Sequence, residues 1–158
     1  MQTARACAVI IVGFAAFPAF ALDVEKSVEV AASPEEAWQA LADFCSIAVW
    51  HPGIAACEQS EQDGATLRTL TTGDGGVVLE KLIQHDDQAM SFTYTILESP
   101  LPVADYVSTM KVSPASGGAS IQWRGEFAAK GASDDEAVAV MSGIYEAGLD
   151  SLKNKLAQ

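Results

Sequence analysis

Positive charge is scarce in this sequence. Lys and Arg number 9 among 158 residues against 21 Asp and Glu, a formal net charge of -12 with His neutral. Nucleic acid and anionic lipid headgroups repel such a surface, so neither is expected as a partner. Histidine is limited to His51 and His85, and cysteine to Cys7, Cys45 and Cys57. Zinc is normally held by three or four His, Cys or carboxylate ligands at recognisable spacing. Cys45, His51 and Cys57, at six-residue intervals, match no such pattern, and no metal is expected. The sequence also lacks a Gly-x-Ser-x-Gly elbow, a phosphate loop and a dinucleotide fingerprint. Gly73-Asp74-Gly75-Gly76 is glycine-rich but opens a strand, so it offers phosphate no helix terminus. No cofactor is implied, and there is no internal repeat, low-complexity tract or linker.

What is present begins with an export signal. Residues 1 to 21 carry Arg5, an apolar run from Ala6 to Phe17, and Pro18-Ala19-Phe20-Ala21, an ending of the small-x-small type cleaved on secretion. The run is shorter than the roughly 20 residues of a bilayer span. Cleavage after Ala21 is therefore expected, with no membrane anchor in the mature form and a periplasmic or secreted location. Loss of Arg5 leaves 8 Lys and Arg against 21 Asp and Glu, a net charge of -13. Cys7 leaves as well. Cys45 and Cys57 remain in an oxidising compartment where a disulfide persists, and we expect them to pair. A catalytic cysteine needs a free thiolate, which that pairing removes. Residues 22 to 158 suit a single domain with room for a core and an internal cavity.

The chain then alternates in a definite order. Residues 23 to 31 put Val24, Val28 and Val30 on one face and Asp23, Glu25, Ser27 and Glu29 on the other, a half-buried strand. Ser33-Pro34-Glu35-Glu36 supplies an N-cap, a proline at the first helical position and a capping-box glutamate for a helix running to about Phe44, with Trp38 on its inner stripe. A short helix over Ser46 to Trp50 is stopped by Pro52-Gly53. Strands follow near 54-61, 65-72, 77-85, 89-98, 104-113 and 119-129, separated by turn residues. Residues 134 to 157 form a long amphipathic helix capped by Ser133 and Glu136. This is an α+β chain of order β-α-α-β6-α. A curved antiparallel sheet of seven strands cannot fill its own concave face, so the last helix is expected across it, with a cavity wherever the contact is incomplete.

That order, with the stretches SPEEAWQALADF, WHPGIAACE, GDGGVVLEKLIQHD, SFTYTILESPLPVADY and YEAGLDSLKNKL, resembles the helix-grip superfamily, also called SRPBCC or START-like. Its members include START domains, birch-type pollen allergens, bacterial polyketide cyclase/dehydrase-like proteins and plant abscisic-acid receptors. The exported form is similar to bacterial periplasmic polyketide-cyclase-like proteins, one group of which accompanies methanol oxidation. The resemblance implies that Glu80-Lys81-Leu82 places Glu80 in the cavity and that Asp105-Tyr106-Val107-Ser108 lines it. It also implies an entrance gate at Gly73, Asp74, Gly75 and Gly76, faced by a latch containing Pro100, Leu101 and Pro102. The receptor lysine that holds a hormone carboxylate is replaced by Ala55, which argues against a carboxylate held in that way. The family register turns Arg124 inward, where it would need Glu80 or a ligand acid beside it. The other reading of the same strand leaves Arg124 in an exposed cross-strand pair.

The resulting ligand-binding candidates are Trp50, His51, Glu80, Leu82, Tyr94, Tyr106, Ser108, Arg124, Met141, Ile144, Tyr145 and Gly148, with Gly148 expected to leave space for a ligand. The expected function is an exported carrier or sensor for a small hydrophobic or amphipathic molecule. One alternative is a cofactor-free cyclase or dehydratase with Glu80 as acid-base group, and another is an accessory protein that contacts a periplasmic oxidoreductase. Trp50 and His51 read as a structural corner beside the cavity rather than as catalysts.

Overall fold

A computed structural model describes residues 21–157. The expected signal peptide, up to its last residue, lies outside the described residues. The element order is β1 (Leu22–Val30), α1 (Pro34–Gln39), α2 (Ile47–Trp50), β2 (Ile54–Gln62), β3 (Ala65–Thr72), β4 (Val77–Asp86), β5 (Ser91–Glu98), β6 (Val103–Ala115), β7 (Gly118–Ala129) and α3 (Asp134–Leu156). All seven strands form one antiparallel sheet of order β1-β7-β6-β5-β4-β3-β2. The hairpins from β2 to β7 simply follow the chain, and the first strand closes on the last. The free edge at β2 carries exposed Glu58 and Glu61, charges that discourage pairing with another strand.

The long helix α3 lies across the concave face, packed chiefly on β1 and β7. Its start is a full capping box: Ser133 Oγ accepts from the Glu136 N–H, and Glu136 Oε2 accepts from the Ser133 N–H at 2.9 Å. Ala137, Met141, Tyr145, Gly148, Leu149 and Leu152 are buried along one stripe, each large apolar side chain contributing roughly 1.5–3 kcal/mol. Grip by this helix is the helix-grip architecture the element order implied.

The first helix is shorter than its apolar spacing suggests, ending at Gln39 rather than near Phe44. The ladder tightens just past the C-cap Ala40, where the Leu41 N–H donates to the Trp38 carbonyl at 2.9 Å. Further on, Asp43 Oδ1 accepts from the Cys45 N–H at 2.7 Å, an Asx turn that keeps the backbone from resuming the helix. Residues 40 to 46 therefore form a run of turns, and these bring Cys45 to Cys57 at the start of β2, where they form the expected disulfide with a Cα–Cα distance of 5.5 Å. The disulfide clips α2 to the sheet.

A cross-link spanning a sequence separation of 12 residues stabilises by about 3 kcal/mol in the chain-entropy account. Urea unfolding with and without reductant is expected to differ by roughly 2–4 kcal/mol. Coincident curves would contradict a stabilising role.

Candidate functional site

Between α2, α3 and the concave sheet the core opens into a cavity of about 190 Å³. Its walls are largely apolar: Ile47 on α2, Leu70 on β3, Val78 on β4, Ile96 on β5, and Met141 and Ile144 on α3. Thr72, Asp74, Pro100 and Leu101 stand among its lining residues, so part of the gate loop and part of the latch reach this space. The two loops are close, since a Cβ on Gly76 would lie 3.6 Å from Pro100 Cγ. A dry apolar cavity of roughly 150 Å³ accepts one benzene, so the space inside the mouth suits a single substituted ring. Longer ligands would have to extend through the mouth.

The most costly feature of the wall is a buried charge pair. Arg68 and Glu80 face each other in the β3–β4 ladder, and Arg68 Nε donates to Glu80 Oε2 at 2.5 Å. Arg68 is 2 % and Glu80 5 % exposed. The guanidinium also donates through Nη1 to the Phe44 carbonyl, and it lies 3.9 Å above the Phe44 ring and 4.9 Å from the Tyr94 ring. Those contacts replace much of the lost water. Burial pushes the Glu80 carboxyl up, while the charge of Arg68 and its hydrogen bond pull it down. Arg68 cannot release its proton, and a neutral Glu80 would leave that cation buried without a counter-charge, so the pair is held as an ion pair. Glu80 lines the cavity, and its Oε2 alone is engaged. No fully enclosed side-chain oxygen or nitrogen among the described residues lacks a partner, so Oε1 opens onto the cavity.

Beside this pair lies a closed set of polar aromatic groups. Tyr106 and Tyr145 share a 2.5 Å hydroxyl contact, and Tyr94 OH lies 3.4 Å from Tyr106 OH. Trp123 Nε1 donates to Tyr94 OH at 3.1 Å and to Ser108 Oγ at 3.0 Å. Ser108 donates onward to the Arg124 carbonyl at 2.7 Å. The Trp123 and Tyr145 rings stack with centroids 4.4 Å apart. Glycine at 125 permits this approach, because a Cβ there would sit 2.1 Å from the Tyr145 hydroxyl. Burial raises the pKa of all three phenols, Tyr106 and Tyr145 most clearly. They are neutral hydroxyls, not bases.

His51 ties the α2 corner to α3. Its Nδ1 accepts from the Gly53 N–H at 3.0 Å, and its Nε2 lies 3.0 Å from the Ile144 carbonyl. A carbonyl can only accept, so the proton is on Nε2 and the ring is neutral. Trp50 is buried behind it, edge-on to Trp123 at 5.7 Å, with Nε1 donating to Ser46 Oγ at 3.2 Å. The role expected for Gly148 is corrected here. A Cβ on Gly148 would come within 2.6 Å of His51 Cδ2 and 2.9 Å of Trp123, so its missing side chain makes room for these rings rather than for a ligand.

Other candidates separate by position. His51, Glu80, Tyr94, Tyr106, Met141, Ile144 and Tyr145 line the cavity together, with Ser108 buried beneath the hydroxyl cluster. Leu82 is half-buried opposite Tyr94, outside the lining. Gly73, Gly75, Gly76 and Pro102 also stand outside it; Gly73 donates to the Gly53 carbonyl, and the Pro102 carbonyl accepts from the Lys130 N–H. The inward reading of Arg124 is overturned. Ile121, Trp123, Gly125 and Phe127 are the buried set on β7, leaving Arg124 outside, 2.7 Å from Asp23 and 2.8 Å from Glu126. The buried cation that satisfies Glu80 is Arg68, which the sequence reading passed over. Pairing Thr71 with Val77 across the gate turn and counting three residues back along each strand would have placed it there.

Fold and cavity together define a helix-grip protein of the SRPBCC, START-like type. A family model described as polyketide cyclase / dehydrase and lipid transport matches residues 21–157, and the chain belongs to that family. Among solved structures, the protein XoxI from Bacillus cereus is similar at 32% identity, covering 85% of this chain and 94% of its own, with TM-score 0.79. An uncharacterized protein from Bacillus thuringiensis is 31% identical over 85% of this chain and 98% of its own, with TM-score 0.80. The Zhui aromatase/cyclase from Streptomyces sp. R1128, 20% identical over 86% of this chain and 93% of its own, with TM-score 0.69, shares the fold.

Burial lowers the His51 pKa, the Ile144 hydrogen bond pulling the other way. The unfolded chain then takes up this proton first, near pH 6.5. The contribution of His51 is complete above that pH and is lost as pH falls toward the lower folded value. Glu80, shifted upward, has the opposite sign, its contribution falling as pH rises above the unfolded carboxylate range. The His51 part is isolated by a variant: between pH 7.5 and 5.5, wild type is expected to lose more unfolding free energy than His51→Gln. Equal losses would contradict the buried neutral imidazole.

Proposed function

We propose that this protein is an exported small-molecule-binding protein, a carrier or sensor that holds a hydrophobic or amphipathic ligand between the sheet and α3. The observation that carries this reading is the cavity itself, apolar over most of its wall and provided with a few fixed polar groups at Glu80, His51 and the tyrosine hydroxyls, the composition of a small-molecule site. Export is supported by the Cys45–Cys57 disulfide, which suits an oxidising compartment, and by a first strand that begins at Leu22, directly after the expected cleavage position. No helix among the described residues is long and apolar enough to cross a membrane.

The acid-base reading has weaker support. Arg68 holds one oxygen of Glu80, His51 has both ring nitrogens engaged, and the phenols are held neutral by burial. General acid-base catalysis needs groups free to exchange a proton with one substrate atom. A partner-protein reading would rest on the latch, yet Leu101 is partly buried against the core and lines the cavity.

Native mass spectrometry of protein from the exporting cell, with a thermal-shift screen of small apolar compounds, tests the binding reading. Bound mass or ligand-linked stabilisation is expected, and it should disappear in Ile144→Phe, which fills the cavity at an overpacking cost of about 1–3 kcal/mol. A screen with no stabilising compound and no bound mass would contradict it.

A further inference from the structure

The charge arrangement in and around the cavity narrows what it can hold. Among its polar side chains, His51 has both nitrogens engaged. The hydroxyls of Tyr94, Tyr106 and Tyr145 bond within their own cluster. Glu80 differs, because Arg68 occupies only Oε2 and Oε1 opens onto the cavity without a donor. The charge of the nearby cation is already spent, as Arg68 is ion-paired to Glu80 and also donates to the Phe44 carbonyl. Asp74 adds a second carboxylate among the lining residues, on a chain of net charge -12. An acid entering here would meet an unpaired acceptor and like charge; a hydroxyl would supply the missing donor.

From this we infer that the cavity selects neutral single-ring aromatic alcohols or phenols, whose hydroxyl donates to Glu80 Oε1, and rejects carboxylates of the same size. This rests on the binding reading above and adds its chemical rule. The ring requirement comes from the volume of about 190 Å³, little more than the roughly 150 Å³ that holds one benzene. The hydroxyl requirement comes from the unfilled acceptor, since a bond to a carboxylate is charge-assisted. Rejection of acids follows from burying a second carboxylate against a pair whose single cation, Arg68, already neutralises Glu80, which leaves one negative charge uncompensated.

The experiment compares p-cresol, p-xylene and p-toluate by calorimetry and thermal shift on the intact protein near neutral pH. p-Cresol is expected to bind roughly tenfold more tightly than p-xylene, the net worth of one hydrogen bond to a charged acceptor, and p-toluate most weakly. In the doubly substituted Arg68→Met/Glu80→Leu protein, whose buried pair is replaced by apolar groups of similar volume, p-xylene should still bind and the advantage of p-cresol should vanish. Equal binding of p-cresol and p-xylene to wild type would overturn the donor rule and leave the cavity reading intact. p-Toluate binding as well as p-cresol would overturn the charge rule. Silence toward all three would overturn this inference, while the binding reading would still be decided by the wider screen and the bound-mass measurement. The wild-type comparison decides without any variant.

Discussion

A buried guanidinium holds the working end of this molecule together. Arg68 reaches from β3 to Glu80 on β4 and to the carbonyl of Phe44 in the turns before α2, with the Phe44 and Tyr94 rings stacked about it. Three separate pieces of chain thus meet on one cation. An arginine this enclosed is tolerable only if its charge and donors are met, so the position of Glu80, the path of residues 40 to 46 and the aromatic wall are mutually constrained. Glu80 in turn cannot move into the cavity to act on a ligand without stranding Arg68.

The rest of the cavity's polar equipment is similarly committed. His51 fastens the α2 corner to α3, the disulfide fastens the same corner to β2, and Trp50 and Trp123 fill the space that Gly148 leaves between. The phenols of Tyr94, Tyr106 and Tyr145 close on Ser108 and the Trp123 N–H. A site whose donors and acceptors are nearly all satisfied by one another is rigid and preorganised for shape. That arrangement suits holding a molecule more than transforming it.

Much of the architecture is legible in the sequence because its signals are local. Alternation, capping boxes at Ser33 and Ser133, and the turn residues between strands mark the elements closely. α1 is the exception, since nothing in its apolar spacing reveals that the chain leaves the helix after Gln39 and turns again at Asp43. Glu80, Tyr106 and Tyr145, singled out from the sequence, stand among the lining residues, but their partners are less visible. Strand β7 offers two faces, and the one carrying Arg124 also carries Gln122 and Glu126; the weight of Ile121, Trp123 and Phe127 on the other face decides the outcome. Arg68 depends on a cross-strand register rather than on a motif. Gly148 shows the limit of reading a missing side chain, since the rings that occupy the vacated space come from β7 and from the α2 corner.

The dependence on Arg68 and Glu80 is best tested by a double-mutant cycle in urea, using wild type, Arg68→Met, Glu80→Leu and the double substitution. Each single change should lose roughly 3–5 kcal/mol by leaving its partner charged and alone, while the double change should lose far less than their sum. Losses that simply add would contradict the account.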